Sequence, residues 1–174
     1  FAPKTAVPAI DVSNPQVIRF RTFSKAHGMA GVRVGYGITE AGLALSFNKV
    51  RNHFGVNRIG QAGALAALAD QDWLAHVVKE VAQARNVISR IAEDNGLKPL
   101  PSAANFAAID CLQDGDFARR VLQEIVTQGV FVRMPFAAPQ DRCIRISAGK
   151  TADLEAFAEA LPTALKAARA EARE

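Results

Sequence analysis

The chain has 174 residues, 49% of them hydrophobic and 22% charged, with a formal net charge of +4. That apolar content suffices for a core of one domain or one and a half, which excludes a disordered chain. The cations are spread along the sequence without a long basic run, so nucleic-acid binding has no electrostatic footprint, and no apolar run reaches the ~18 residues that a membrane span needs.

Residues 17–22 predict a short strand and residues 32–38 a second, with a glycine-rich turn between the two strand ends. Ligand sites usually form at such strand ends. Thr39 is placed to cap a helix running to about Arg51. Over residues 57–69, Ile59, Ala62, Leu65, Ala66 and Ala69 keep helical spacing. From Asp72 a long helix carries Trp73, Leu74, Val77, Val78, Val81, Ile88 and Ile91 as a core stripe and stops at Asn95 and Gly96. Pro99 and Pro101 then predict a loop, and the pattern points to a second compact unit. In it, residues 105–110 read as a strand, Phe117, Val121 and Ile125 as a helix ending at Gly129, and residues 130–133 and 143–147 as two further strands. The last helix follows Thr151, with Leu154, Phe157, Leu161 and Leu165 in register, a kink or restart at Pro162, and a frayed end over 170–174. The whole reads as an α/β protein.

Cys111 and Cys143 lie in apolar strand contexts without CxxC spacing, which favours buried reduced thiols over a disulfide or metal site. His27, His53 and His76 share no ligand spacing, so no metal is expected. No signal peptide is evident at the start, and a cytoplasmic location is the expectation.

The chemistry concentrates on the turn. A lysine forms an imine with an aldehyde only when its amine is neutral, and a nearby arginine and burial both push the ammonium pKa down. Lys25 and Arg33 have that relationship. Arg33, with the hydroxyls of Thr22 and Ser24, also makes a cradle for a phosphate dianion. The glycine spacing fits neither the dinucleotide fingerprint nor the P-loop. These features together suit a phosphorylated aldehyde, with another phosphate ligand such as a nucleotide as the alternative.

The pattern T-x-S-K-x-x-G-x-A-G-x-R-x-G-Y over residues 22–36 resembles the cofactor-lysine segment of fold type I pyridoxal-phosphate aminotransferases, the histidinol-phosphate aminotransferase branch above all. His27 stands where that branch more often has an aromatic residue. The resemblance implies that Lys25 carries pyridoxal 5'-phosphate covalently and acts as the catalytic base, and that Thr22, Ser24 and Arg33 hold the cofactor phosphate. It further implies that residues 1–70 are the end of the large cofactor-binding domain, and that residues 71–174 are a connecting helix and a small α/β C-terminal domain. The segment resembling Phe1 to Pro3 follows, in such enzymes, a strand whose aspartate and tyrosine contact the pyridine ring, so the resemblance covers a C-terminal half.

An arginine in the apolar strand 143–147 must meet an anion, because burying an unpaired cation is costly. Arg145 is either a structural ion pair or, as the I-R-I-S-x-G resemblance implies, the group that grips the acidic end of the substrate. By the same resemblance Arg133 is a second anion contact, used for a substrate phosphate. Asn105 either lies near the substrate or ties down a strand end. Asn57 and Arg58 fall where such proteins approach the neighbouring subunit of a homodimer. The implied activity is transfer of an amino group between an amino acid or amino-alcohol phosphate and a 2-oxo acid. The alternatives are a decarboxylase of the same fold, of the threonine-phosphate type, and a non-catalytic α/β interaction domain.

Overall fold

The computed structural model describes residues 1–2, 6 and 8–171. Pro3 and the stretch 172–174 of the expected frayed tail lie outside the described residues. The chain divides into Ala2–Val78 and, with Phe1, Lys79–Glu174.

In Ala2–Val78, β1 (Arg19–Thr22) pairs antiparallel with β2 (Gly35–Ile38), Arg19 facing Ile38 and Thr22 facing Gly35. The strand expected over 32–38 begins only at Gly35. Ala30–Val32 winds into a 3-10 turn and Arg33 has φ 59°, a left-handed conformation that cannot continue an extended backbone. Glu40, not Thr39, caps α1 (Ala41–Ser46), accepting from the N–H groups of Gly42 and Leu43 at 2.7 and 2.8 Å. Those two bonds hold the Glu40 carboxyl below its ordinary value. The Thr39 hydroxyl is engaged elsewhere, donating to Val17 O at 2.7 Å. A 3-10 turn, Phe47–Lys49, ends this helix short of Arg51. After it, α2 (Arg58–Ala69) runs to the predicted end before Asp70.

The division falls within α3 (Gln71–Asp94). Beyond Lys79 this helix buries Ala84, Ile88 and Ala92. Of the expected stripe, Ile88 is buried and Ile91 packs on the core, whereas Trp73 is 53% exposed. Alanines fill the close contacts that a count of large apolar residues overlooks.

The second unit is built on an antiparallel sheet in the order β3 (Lys98–Pro99), β4 (Phe106–Asp110), β5 (Cys143–Ser147). A short strand thus replaces part of the loop expected at Pro99, tolerable because β3 is an edge strand. Residues 130–133 form no strand. Val130 N donates back to Ile125 O, and only Arg133 bridges to β5, opposite Arg145.

Register divides the sheet into two faces. Ala107 with Ile146 and Ile109 with Ile144 lie on one face and are all buried. They meet α4 (Gly115–Thr127), capped by Asp114 on Phe117 N at 2.8 Å, and α5 (Thr151–Glu171). Phe106 with Ser147 and Ala108 with Arg145 lie on the other face, where burial is partial or absent. α5 is continuous across Pro162, without the expected restart. A proline inside a helix costs ~3 kcal/mol, but Leu161, Ala164, Leu165 and Ala168 around it are all buried, and each leucine returns roughly 1.5–3 kcal/mol. Ala170 and Glu171 remain in the helix.

Cys111 and Cys143 are buried and unbonded, and burial pushes the Cys111 thiol up to about 12. Among the described residues no group of three or more His, Cys, Asp or Glu could hold a metal ion, and no helix is long and apolar enough to cross a membrane.

At the end of β4, Asp110 accepts from Arg142 Nε and from Leu112 N, both at 2.8 Å. Burial pushes its carboxyl up, but these hydrogen bonds and the charges of Arg142 and Lys98 hold it net below the ordinary 3.8. A depressed carboxylate stabilises the fold above the unfolded value, and that contribution disappears as pH falls through the lower folded value. Urea unfolding followed downward through pH 3.8 is expected to show stability lost in that acid range, and Asp110→Asn is expected to lose less of it.

Candidate functional site

The segment joining β1 to β2 is shaped by its own backbone. Phe23 N donates to Val34 O at 3.2 Å, which extends the strand pairing by one step, and Phe23, 2% exposed, forms the floor. His27 and Tyr36 pack on it with ring centroids 5.1 and 5.6 Å away. His27 therefore serves as a ring in an aromatic position, although its buried Nδ1 has no hydrogen-bond partner among the described residues. The chain reverses at Gly28, whose N donates to Lys25 O at 2.9 Å and whose φ of 68° is a conformation glycine adopts without strain. Met29 N then returns to Phe23 O at 3.0 Å.

Four predicted residues belong to this segment. Thr22 Oγ1 accepts from Ser24 N at 3.0 Å, fixing the turn into Lys25. Lys25 is exposed, so the burial expected for its amine is not supplied within this unit. Arg33 is also exposed, and its Nη1 donates to Ala30 O at 2.8 Å. Neither cation has an acidic partner: the ion pairs among the described residues are Arg119 with Asp116 and Arg142 with Asp110.

Sequence reasoning missed what holds Arg33. Asn57 caps α2 by accepting from Gly60 N at 2.6 Å, and its Nδ2 donates to Val32 O at 3.0 Å. One side chain thus ties the Arg33 turn to a helix start. Gly60 permits the approach, because a Cβ there would lie 2.5 Å from Val34 Cγ2 and 3.1 Å from Val32 Cγ1. Asn three positions before a glycine at a helix start is a readable capping signal; its bond to Val32, 25 residues earlier, is not.

The other predicted residues belong to the second unit. Arg145 is central on β5, half-buried, opposite Ala108 and bridged on its other side to Arg133. Its guanidinium lies 4.9 Å from the Phe106 ring centroid, and that of Arg133 lies 5.6 Å from Phe131. The structural ion pair weighed for Arg145 is absent among the described residues. Asn105 precedes β4, and its carbonyl accepts from Ala148 N at 2.9 Å, prolonging the ladder with β5. The bridge sets two like charges at opposed positions, an unfavourable pairing unless the two are held apart or share an anion.

Lys25 and Arg33 thus share one short turn of an α/β chain, and neither is in an ion pair among the described residues. The family model for aminotransferase class I and II matches residues 2–161, and the chain belongs to that family. Histidinol-phosphate aminotransferase 2 of Ralstonia nicotianae is 37% identical over 158 residues, which are 91% of this chain and 42% of the relative. The crystal structure of histidinol-phosphate aminotransferase from Sinorhizobium meliloti in complex with pyridoxal 5'-phosphate superposes with a TM-score of 0.91 at 50% identity, over 95% of this chain and 46% of that one. L-threonine-O-3-phosphate decarboxylase from Porphyromonas gingivalis shares the fold, with a TM-score of 0.71 at 18% identity over 87% of this chain and 47% of that one. The chain spans less than half the length of these relatives.

Gly60→Ala forces a methyl group against Val34 and Val32. It is expected to lower stability by about 1–3 kcal/mol in urea unfolding, the range for overpacking a close contact. An unchanged midpoint would show that α2 does not press on the Arg33 turn.

Proposed function

We propose that the protein containing this chain is a pyridoxal-phosphate-dependent aminotransferase. Its substrates are an amino acid or amino-alcohol phosphate and a 2-oxo acid, with histidinol phosphate and 2-oxoglutarate as the leading pair. The observation that carries the reading is the shared turn of Thr22, Ser24, Lys25 and Arg33, whose two cations lack any carboxylate among the described residues. The residues fit the cofactor. Arg33 has guanidinium N–H donors beyond the one given to Ala30 O, and a Cβ at Gly28 or Gly31 would meet nothing within 4 Å, so a phosphate can come near the backbone there.

When bound, pyridoxal phosphate supplies an aldehyde carbon that accepts amino groups and a ring that draws off electrons from the carbon losing its proton. Lys25 would hold that carbon through its Nζ. The same Nζ would serve as the base for the proton on the substrate carbon bearing nitrogen and as the acid that returns it. Arg33, Thr22 and Ser24 hold the phosphate. Arg145 grips the acidic end of the substrate, Arg133 adds a second contact to a substrate phosphate, and Asn105 lies near the substrate.

In this reading residues 1–70 end the large cofactor-binding domain and residues 71–174 provide the connecting helix and small domain. The assembly is a cytoplasmic homodimer. Both polar ends of the Asn57 side chain are used within the chain, which leaves exposed Arg58 as the contact for a second subunit.

Borohydride reduction of the yellow holoenzyme, followed by peptide mapping, is expected to label Lys25. A label on Lys49 or Lys79 would remove the basis of the assignment.

The two arginines are expected to fail differently. Arg145→Met should weaken the anionic substrate about 10- to 150-fold, the equivalent of a charge-assisted bond of about 1.5–3 kcal/mol. Arg33→Met should weaken the cofactor and be partly rescued by excess pyridoxal phosphate, which should not help Arg145→Met. Titrations of activity against cofactor and substrate decide the point, and rescue of Arg145→Met would reverse the two roles.

A further inference from the structure

The face of the sheet that carries Arg145 holds its charge in an unusual way. Ion pairing is the common means of fixing a half-buried arginine, yet Arg145 is in neither ion pair found among the described residues. Asp110 lies on the same strand as Phe106 and on the same face, but its carboxylate is turned to Arg142 at 2.8 Å. What Arg145 has beneath it is the Phe106 ring, 4.9 Å from the guanidinium carbon.

The β4–β5 register produces that contact. Arg145 faces Ala108, and Phe106 faces Ser147, so the arginine and the phenylalanine are diagonal neighbours on one face. At such a diagonal only long and aromatic side chains meet. Ala108 leaves the room in which the guanidinium lies over the ring. A carboxylate in that place would neutralise the cation, whereas a ring face attracts a cation and supplies no competing anion. On its other side Arg145 is bridged to Arg133, itself 5.6 Å from the Phe131 ring, so the second cation is also seated on an aromatic ring.

We propose that Phe106 is a positioning residue for substrate binding: its ring carries the Arg145 guanidinium without neutralising it, leaving N–H donors for the acidic group of the substrate. This rests on the role of Arg145 proposed above. In the holoenzyme, with an anionic amino donor, Phe106→Leu is expected to raise KM about 3- to 10-fold with kcat retained, because the ring contact acts on binding and not on proton transfer. Phe106→Tyr, which keeps the ring face, is expected to stay within about twofold of the parent. In an Arg145→Met background, Phe106→Leu is expected to add nothing to KM, a coupling that a purely structural role would not produce. Phe106→Met replaces Phe106→Leu, with the same outcomes, if the leucine variant does not fold. An unchanged KM in the ring-less variant, or the same rise in KM with and without Arg145, overturns the proposal while leaving the Arg145 role intact. If Arg145→Met alone leaves KM unchanged, the Arg145 role falls and Phe106 has nothing to position.

Discussion

A cation that is to receive an anionic ligand must not be neutralised by its own chain, and on the roles proposed above Arg33, Arg133 and Arg145 fall under that constraint, with Lys25 kept clear of carboxylates in the same way. None of the four is in an ion pair among the described residues. The price is that each needs another means of being held. Arg33 is fixed locally: a left-handed φ of 59°, a bond from its side-chain Nη1 to Ala30 O, and the Asn57 amide on Val32 O. A non-glycine residue in that conformation costs of order 1–3 kcal/mol and persists only when its surroundings over-determine it. The capped start of α2 and the close approach at Gly60 are those surroundings.

The second unit gives the two faces of a single sheet different tasks, one buried in the core and the other carrying the proposed substrate contact. Ala107, Ile109, Ile144 and Ile146 on the inner face join Phe117, Val121, Phe157 and Leu161 in one core. The alternate residues Phe106, Ala108 and Arg145 point to the other face. Because side chains alternate with period two, a slip of one residue in this register would bury Arg145 and expose Ile144 and Ile146. The isoleucines therefore fix which way the arginine points.

Much of this was legible because it depends on local periodicity. The span 143–147, Gly129 as a helix stop and the Asn57 to Ala69 helix follow from alternation, 3.6-residue spacing and capping. Buried reduced cysteines follow from their apolar strand context. What was not legible depends on partners distant in sequence. Thr39 has the chemistry of a cap, but its hydroxyl is drawn to Val17 O and Glu40 offers two acceptors. Residues 130–133 have a strand's composition, yet Val130 stays bonded to the end of α4. Pro162 signals a break that burial on both sides of it overrides. In the site, the motif gave the residues of the lysine turn, while the ring beneath Arg145 needed the β4–β5 register.

Magnitudes explain why a ring suits Arg145 better than an acid would. A carboxylate about 4 Å from a guanidinium has a gross Coulomb attraction of about 4 kcal/mol at an effective dielectric of about 20, before desolvation and side-chain entropy reduce its net worth. A substrate anion would have to break or share that interaction. A ring contributes about 0.5–1 kcal/mol where exposed and about 2 where desolvated. It does so through its face, so the N–H fork at the guanidinium edge keeps its full capacity for two parallel bonds to a carboxylate or phosphate. On the role proposed for Arg145, a ring thus leaves its charge and its N–H donors to the ligand, where a carboxylate would occupy both. On the roles proposed for Arg133 and Arg145, the backbone bridge that sets them opposite each other would act in the same direction, since an anion bound to both would lower any repulsion between like charges.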